Sequence, residues 1–218
     1  MIQFDFEKNA LKILFLLLMA DFAFMVLHLF YEMSYLKDIS FWIGLDWGYA
    51  EVYQYIKEFW IAVLLLMLAV KRKALIHFAW VMVFVYLLLD DSLQIHETVG
   101  HHLADRFDLQ RKWFRYGISL RGQDLGELSV SLVMGILFSL MVGMTYLVSD
   151  HSGKKISRNL IVLLLGLAVV GVFGDMLSIA FKGIKSFWEF IEDGGEMIMM
   201  SLILWYVFNL RLDQKGFS

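Results

Sequence analysis

Four carboxylates crowd the start of the last apolar segment of the chain, within the stretch FWEFIEDGGEMIMM at residues 187–200. Successive residues of an α-helix are about 100° apart, so these side chains would share an arc of about 100° on one face. Carboxylates packed this closely repel one another unless they are protonated, paired with a base or bound to a cation. The stretch therefore predicts a helix face that binds protons or cations. Its acids are Glu189, Glu192, Asp193 and Glu196.

Ionisable side chains recur in the other apolar segments, and helical spacing again places them on single faces. The third segment gives the longest such stripe, Asp90, Gln94, Glu97 and His101, if its helix continues without a break. An ionisable group inside lipid costs about 2.5–3.5 kcal/mol at the middle of a helix, so such groups face protein, water or a ligand. The remaining segments contribute Asp21, His28 and Glu32, then Glu51 and Glu58, then Asp124 and Glu127, and finally Asp175.

The composition indicates which elements must position these groups. Of the 218 residues, 60% are hydrophobic and only 19% are charged, whereas a soluble domain is about half apolar and a quarter charged. Six apolar runs are long enough to cross a bilayer as helices, which takes about 20 residues each. The sequence therefore predicts an all-α integral membrane protein, a single domain over residues 1–218 built as a six-helix transmembrane bundle. The predicted spans are Ala10–Tyr31, Tyr53–Val70, Ala74–His96, Glu127–Val148, Leu160–Phe181 and Trp188–Leu210.

An even number of spans places both termini on the same side of the membrane. All but four of the 22 carboxylates then fall in the half that faces away from the termini. The simplest arrangement is a bundle whose polar stripes converge on one acidic cavity, open to the side opposite the termini. Compact basic runs at helix ends, KRK at 71–73 and KKISR at 154–158, favour cytoplasmic termini in a plasma membrane of the bacterial type.

Only a few bases lie near these acids, namely Lys57, Lys182 and Lys185, and this shortage favours bound protons or a bound cation. Imidazoles among carboxylates suit Zn, Fe or Mn, whereas oxygen ligands alone suit Ca. The chain has no HExxH motif, no pair of ExxH motifs and no cysteine. The expected cofactor is a divalent cation, Zn, Fe, Mn or Ca. The predicted ligand-bearing residues are Glu196, Asp193, Glu192, His96, Glu97, Asp90, Asp21, His28, Glu58, Glu127 and Asp175.

Two connections combine aromatic and basic side chains, which favour the headgroup level of a bilayer. They are Leu36–Glu51 and Gly100–Gly126. Within the second, the stretch RKWFRYGISLR at 111–121 predicts an amphipathic or partly helical segment along the membrane surface. Membrane lipids are therefore expected partners. The predicted lipid contacts are Arg111, Lys112, Trp113, Arg115, Arg121, Trp42 and Trp47.

Three functions fit this pattern, and no residue is singled out as catalytic. Polar groups concentrated at one end describe a pocket better than a pore, which favours a metal-dependent membrane enzyme acting on a lipid-like substrate. The alternative is a cation or proton channel or transporter with the acid cluster as its mouth, within one protomer or between subunits of a homo-oligomer. The third is a non-catalytic membrane subunit or a sensor of pH or metal. A net charge of −3 gives no indication of a nucleic-acid partner.

Overall fold

The computed structural model describes residues 8–107, 113–115, 118–120, 122–180 and 185–212. Almost all of this part of the chain is helical, with one short two-stranded hairpin and a 3₁₀ turn at Ile39–Phe41. The helices are α1 (Lys8–Glu32), α2 (Tyr49–Arg72), α3 (Leu75–Leu93), α4 (Ile95–Arg106), α5 (Gly122–Leu147), α6 (His151–Ala180) and α7 (Lys185–Leu212). The strands are β1 (Trp113–Arg115) and β2 (Ile118–Leu120).

Four helices of the described chain are long and apolar enough to cross a membrane. Each contains 18 residues or more, which at a rise of about 1.5 Å per residue approaches or exceeds the thickness of a hydrocarbon core of about 30 Å. These four candidate spans support the predicted class, a helical membrane protein. The four segments are Ala10–Glu32, Tyr49–Arg72, Leu75–Leu93 and Leu125–Leu147.

The long helices pack side by side around a core near the end of the bundle that carries the termini. Side-chain-free positions bring α6 and α7 together in antiparallel order, with Gly166 opposite Met199 and Gly195 opposite Val170. Gly194 faces Met25 of α1, so two neighbouring helices approach α7 closely at Gly194 and Gly195. The fully buried members of the core include Ile61, Leu65, Phe84, Leu160 and Ile203.

The third predicted segment does not form one helix. α3 ends at Leu93, and Gln94 adopts a left-handed backbone with φ of 50° before α4 begins. The Asp90 carboxylate accepts a hydrogen bond of 2.8 Å from the backbone N–H of His96, in the first turn of α4. This bond satisfies a donor that a helix start otherwise leaves without a partner. The predicted continuous stripe from Asp90 to His101 is therefore wrong, because the break reorients α4.

The predicted surface segment at 111–121 also differs from expectation. β1 and β2 pair in antiparallel order, with Trp113 opposite Leu120 and Arg115 opposite Ile118. The partly helical character predicted for this segment is wrong at these positions, where Trp113, Phe114 and Ile118 are residue types that favour strands. Arg111, Lys112 and Arg121 lie outside the described residues. Contact of this hairpin with lipid stays a prediction.

Candidate functional site

An acidic cavity of about 200 Å³ lies where α2 and α7 begin and α3 meets α4. The segment between α1 and α2 forms one wall through Ile43, Gly44 and Asp46. The cavity lies at the end of the bundle that is opposite the start of α1 and the end of α7. Six carboxylates and one imidazole line it: Asp46, Glu51, Asp91, Glu97, Asp193, Glu196 and His96. The other polar side chains of the wall are Gln54 and Tyr55.

Glu58 is a carboxyl group buried beside this cavity. Its side chain is 0% exposed, and neither of its oxygens receives a hydrogen bond from a donor in the described chain. Asp91, a residue of the cavity wall, is a neighbouring carboxyl group. Two carboxyl groups can form a hydrogen bond with each other only when one of them holds a proton. Glu58 and Asp91 are therefore candidates to share a proton.

Lys57 precedes Glu58 on α2, but it points into a different network. Its Nζ donates to Asp21 Oδ1 of α1 at 3.0 Å, to the Met197 carbonyl oxygen of α7 at 2.8 Å and to Ser201 Oγ at 3.4 Å. Asp21 accepts a second bond of 2.6 Å from Ser201. The ammonium also lies 4.7 Å from the centre of the Tyr53 ring. Lys57 and Asp21 are 0% and 1% exposed, so this ion pair lies inside the bundle. Together with the bonds to Met197 and Ser201, it joins α1, α2 and α7.

His96 lies in the first turn of α4, where its backbone N–H bonds to Asp90 and its imidazole faces the cavity. Its Nδ1 is 3.2 Å from the second oxygen of Asp90. The hydrogen bond to Asp90 raises the pKa of His96 above its ordinary value, and the neighbouring carboxylates of Glu97 and Asp91 act in the same direction against burial. Partial burial raises the pKa of Glu97, with a further contribution from Asp46. Both groups of this wall therefore favour bound protons.

We expect the Asp90→Asn variant to lower the pKa of His96, because the amide keeps the cap on α4 but removes the negative charge. The raised pKa means that the His96–Asp90 contact stabilises the folded protein fully below the unfolded-state value of about 6.5 and that this contribution is lost as pH rises through the folded-state pKa. NMR titration of labelled histidines, assigned with His96→Gln, measures the shift. Asp105→Asn, near the exposed His101, is the control. An unchanged His96 titration in the Asp90 variant would contradict this assignment.

Several residues of the predicted ligand set lie away from the cavity wall. Asp21 is held by Lys57 and Ser201. His28 is a buried histidine whose Nδ1 accepts a bond of 3.2 Å from the Ile43 backbone N–H, and its ring stacks on Phe190. Its contact fixes the segment that carries Ile43 and Gly44. Glu127 accepts a bond of 2.9 Å from Gln123 at the start of α5.

The structure brings another part of the predicted ligand set together. Four of its members line the cavity: His96, Glu97, Asp193 and Glu196. Asp90 accepts a hydrogen bond from the backbone N–H of His96. Glu192 is half-buried on α7 and is not among the wall residues, while the side chain of Asp175 lies outside the described part of α6. Among the predicted lipid contacts, Trp47 is exposed and Trp42 is half-buried. The side chains of Trp113 and Arg115 are outside the description.

A bound metal remains a proposal. Within the described ranges, the structure contains no group of three His, Asp or Glu side chains arranged to hold one ion.

Sequence reasoning missed Asp46, Gln54, Tyr55 and Asp91 as members of the cavity wall. Asp91 directly follows Asp90, which the sequence placed in the polar stripe of the third segment. The sequence did contain a signal for Asp91. Glu58 and Asp91 lie on successive antiparallel helices, at positions that come to a similar level of the bundle. Glu51 was predicted to share a polar stripe with Glu58. Its carboxylate accepts a bond from the Trp47 backbone N–H and also lines the cavity.

Comparison with known proteins gives a family but no described activity. No curated protein and no solved structure matches the chain. One family model matches residues 10–212, which include all the cavity residues and nearly the whole helical bundle. The chain therefore belongs to the family described as a domain of unknown function, DUF8692.

Proposed function

We propose that α6 and α7 also cross the membrane, so that the bundle has six spans and both termini lie on one side. α6 has 30 residues and α7 has 28, which correspond to lengths of about 45 and 42 Å. Both pack antiparallel along their neighbours, as Gly166 opposite Met199 and Gly194 opposite Met25 indicate. Reporter fusions at Met1 and at Ser218 should report the same side, which we expect to be the cytoplasm of a bacterial-type cell. Fusions that report opposite sides would contradict six spans.

We further propose that the cavity is the loading site of a proton-coupled cation transporter. The observation that carries this proposal is the fully buried Glu58, which no described donor reaches and which lies against Asp91 of the cavity wall. A buried carboxylate without donors is strongly disfavoured, so Glu58 is stable only with a proton or a cation beside it. We infer that the site binds one or the other, and that Asp91 links Glu58 to the cavity.

The core on the terminal side of the site favours a transporter over an open channel. Beyond Lys57, α2 continues with the fully buried Ile61 and Leu65, which pack with Leu160 and Ile203. A conduction path needs polar groups along its length. The described side chains instead give a polar site followed by an apolar layer, as expected when access is open on one side at a time.

The shared proton predicts a spectroscopic result. Infrared spectra of the purified protein near neutral pH should contain the C=O stretch of a protonated carboxylic acid, shifted on exchange into D₂O. Glu58→Gln should remove the part of this band that belongs to the Glu58–Asp91 pair, because the glutamine amide donates to Asp91 and leaves it ionised. Asp91→Asn should remove it as well, whereas Glu32→Gln at the exposed end of α1 should not. The assignment fails if the band is absent from the wild type or is unchanged in both variants.

Reconstituted vesicles then separate a transporter from a sensor. Vesicles containing the wild-type protein and a trapped pH dye should show cation-driven proton movement, and Glu58→Gln should abolish it. Bound protons without any movement across the membrane would indicate the pH-sensing function instead.

A metal-dependent membrane enzyme is a second candidate, favoured by the imidazole of His96 among the cavity acids. The described side chains as they stand form no three-residue metal site, so His96, Asp91 and Glu97 would have to come closer together to hold a divalent cation such as Zn, Fe, Mn or Ca, with Asp193 or Glu196 within the same wall. A metal held there would supply an activated water, and a neighbouring carboxylate would act as general base toward a lipid-like substrate. Metal analysis of protein purified without chelator tests this function. Absence of stoichiometric metal would exclude it for the purified protein.

A further inference from the structure

We propose that two basic turns at the end of the bundle opposite the acidic cavity form one binding surface for anionic phospholipid. The first turn joins α2 to α3 and contains three consecutive bases at 71–73. The second is the start of α6, with three bases within 154–158. This inference concerns a different face of the molecule and uses none of the cavity residues. The six bases are Lys71, Arg72, Lys73, Lys154, Lys155 and Arg158.

Tertiary packing brings the two turns together. The guanidinium of Arg72 donates to the hydroxyl of Ser152, in the first turn of α6, at 2.6 Å, although the two residues are 80 positions apart in sequence. Beside this bond, Gly153 lies close to α3, since a Cβ added there would be 3.0 Å from Cγ2 of Ile76. The two basic runs therefore form one continuous surface, which we call the basic patch.

The charge of the basic patch is opposite in sign to that of the whole chain. Five of its six bases are exposed, whereas the protein as a whole carries a net charge of −3. The two stretches 71–73 and 149–158 contain a single carboxylate, Asp150. Its Oδ1 accepts a bond of 2.8 Å from the Gly153 backbone N–H, so it also caps the start of α6. The excess of exposed positive charge makes an anion the complementary partner.

The position of the basic patch places it at the level of lipid headgroups. Three candidate membrane spans meet here: one ends at Arg72, the next begins at Leu75, and a third ends at Leu147. Clusters of Lys and Arg directly beside the end of a membrane span are typical of surfaces that bind anionic lipids. The phosphate of a lipid in the same leaflet is therefore the anion within reach of these side chains.

Apolar side chains next to the bases distinguish a lipid from a soluble anionic partner. Val70 and Leu75 flank the first turn and are 60% and 66% exposed. Leu147 and Val148 precede the second turn and are 76% and 75% exposed. An acidic protein or a free phosphate would leave these side chains in water, whereas the acyl chains of a phospholipid would cover them. A molecule with an anionic head and apolar chains matches both parts of this surface.

Binding of such a lipid would fix this end of the bundle in the leaflet richer in anionic lipid. Each base near a membrane surface increases the binding of anionic lipid by about fivefold at physiological ionic strength. The lipid would also bridge the α2–α3 turn and the start of α6, in addition to the bond between Arg72 and Ser152. The attraction is electrostatic, so added salt should weaken it.

Native mass spectrometry of the protein purified in a nonionic detergent tests the inference. Equal amounts of phosphatidylglycerol and phosphatidylcholine with the same acyl chains are added, and the lipids retained by the protein are counted. We expect the wild type to retain phosphatidylglycerol in preference to phosphatidylcholine. Lys71→Gln with Lys155→Gln, one exposed base from each turn, should reduce this preference by about tenfold or more. Lys37→Gln with Arg106→Gln removes the same charge from exposed positions outside both turns and should preserve it.

The other outcomes each overturn the inference. Equal retention of the two lipids by the wild type would show that the basic patch does not select an anionic headgroup. A preference that persists in Lys71→Gln with Lys155→Gln, or that is lost equally in the control, would place the lipid elsewhere. Displacement of phosphatidylglycerol by an equal concentration of glycerol 3-phosphate would assign the surface to a soluble phosphate. Displacement by polyglutamate at that concentration would instead indicate an acidic protein partner.

Discussion

Replacing Lys57 with methionine is expected to destabilise the protein by about 3–5 kcal/mol, the largest effect predicted for any single side chain here. Methionine fills a similar volume but leaves Asp21 as a buried charge without its ammonium. Asp21 is 1% exposed and would keep only its bond from Ser201. A charge held in a medium of low polarity without a counter-charge is strongly disfavoured. The free energy of unfolding therefore falls, or Asp21 takes up a proton in the folded state.

Chemical denaturation in detergent micelles, followed by circular dichroism, measures this effect. The double variant Lys57→Met with Asp21→Asn should recover most of the lost stability, because it removes both charges and the amide can still accept from Ser201. Lys71→Met, at an exposed position in the last turn of α2, is the matched control and should change stability by less than about 0.5 kcal/mol. A double variant as unstable as Lys57→Met would show that the ion pair is not the cause.

Gly100→Ala is expected to destabilise the protein by about 3 kcal/mol or more, at the upper end of the range for overpacking. A Cβ atom at Gly100 would lie 2.5 Å from the backbone nitrogen of Glu127 and 2.7 Å from its Cα. At Gly126 on the opposite helix, a Cβ would meet the carbonyl oxygen of Gly100. These atoms belong to backbone, which cannot rotate away, so α4 and α5 would have to separate. Because α4 also carries His96 and Glu97, the separation would deform the cavity.

Two other glycines of α5 provide matched controls. A Cβ at Gly135 or Gly143 would meet nothing within 4 Å. Alanine is favoured over glycine within a helix by about 1 kcal/mol, so Gly135→Ala and Gly143→Ala should be neutral or slightly stabilising. Thermal unfolding of the three alanine variants separates the two classes. Similar unfolding temperatures for Gly100→Ala and Gly135→Ala would contradict a close backbone contact between α4 and α5.

The main helices could be predicted from sequence because their signals are local. Runs of apolar residues at the length of a bilayer, without proline, define where helices form and where they stop. The concentration of acids at one end follows from the same counting, since each helix reverses direction at the next turn. The four acids of α7 were also predicted to share a face, and Asp193 and Glu196 of this set do line the cavity.

The break between α3 and α4 could not be predicted in this way. Nothing in the local sequence SLQIHE requires a left-handed residue at Gln94. The cap that Asp90 places on α4 and the contact of Gly100 with Gly126 fix the break, and the second of these joins residues 26 positions apart. The angle of α4, and with it the position of His96, therefore depends on packing between helices.

The pairing of charges was also decided by tertiary structure. By sequence, Lys57 and Glu58 are neighbours with several acids at a similar depth, and Lys57 could neutralise any of them. Adjacent helical residues point about 100° apart, so Lys57 faces Asp21 and Ser201 while Glu58 faces Asp91. Tertiary packing also decided the pairing of uncharged side chains: Trp80 donates to Ser157, and Asn159 donates to Tyr206.

The sequence by itself determined that the chain is helical, suited to a membrane and acidic at one end, because length, hydropathy and helical periodicity are properties of the chain. Only the tertiary structure decided that Lys57 pairs with Asp21 and not with Glu58. The rotation of each helix about its axis is set by close contacts such as Gly166 with Met199, and a turn of about 100° exchanges one set of partners for another. Glu58 and Asp91 meet, and Asp21 is neutralised, because packing fixed those rotations.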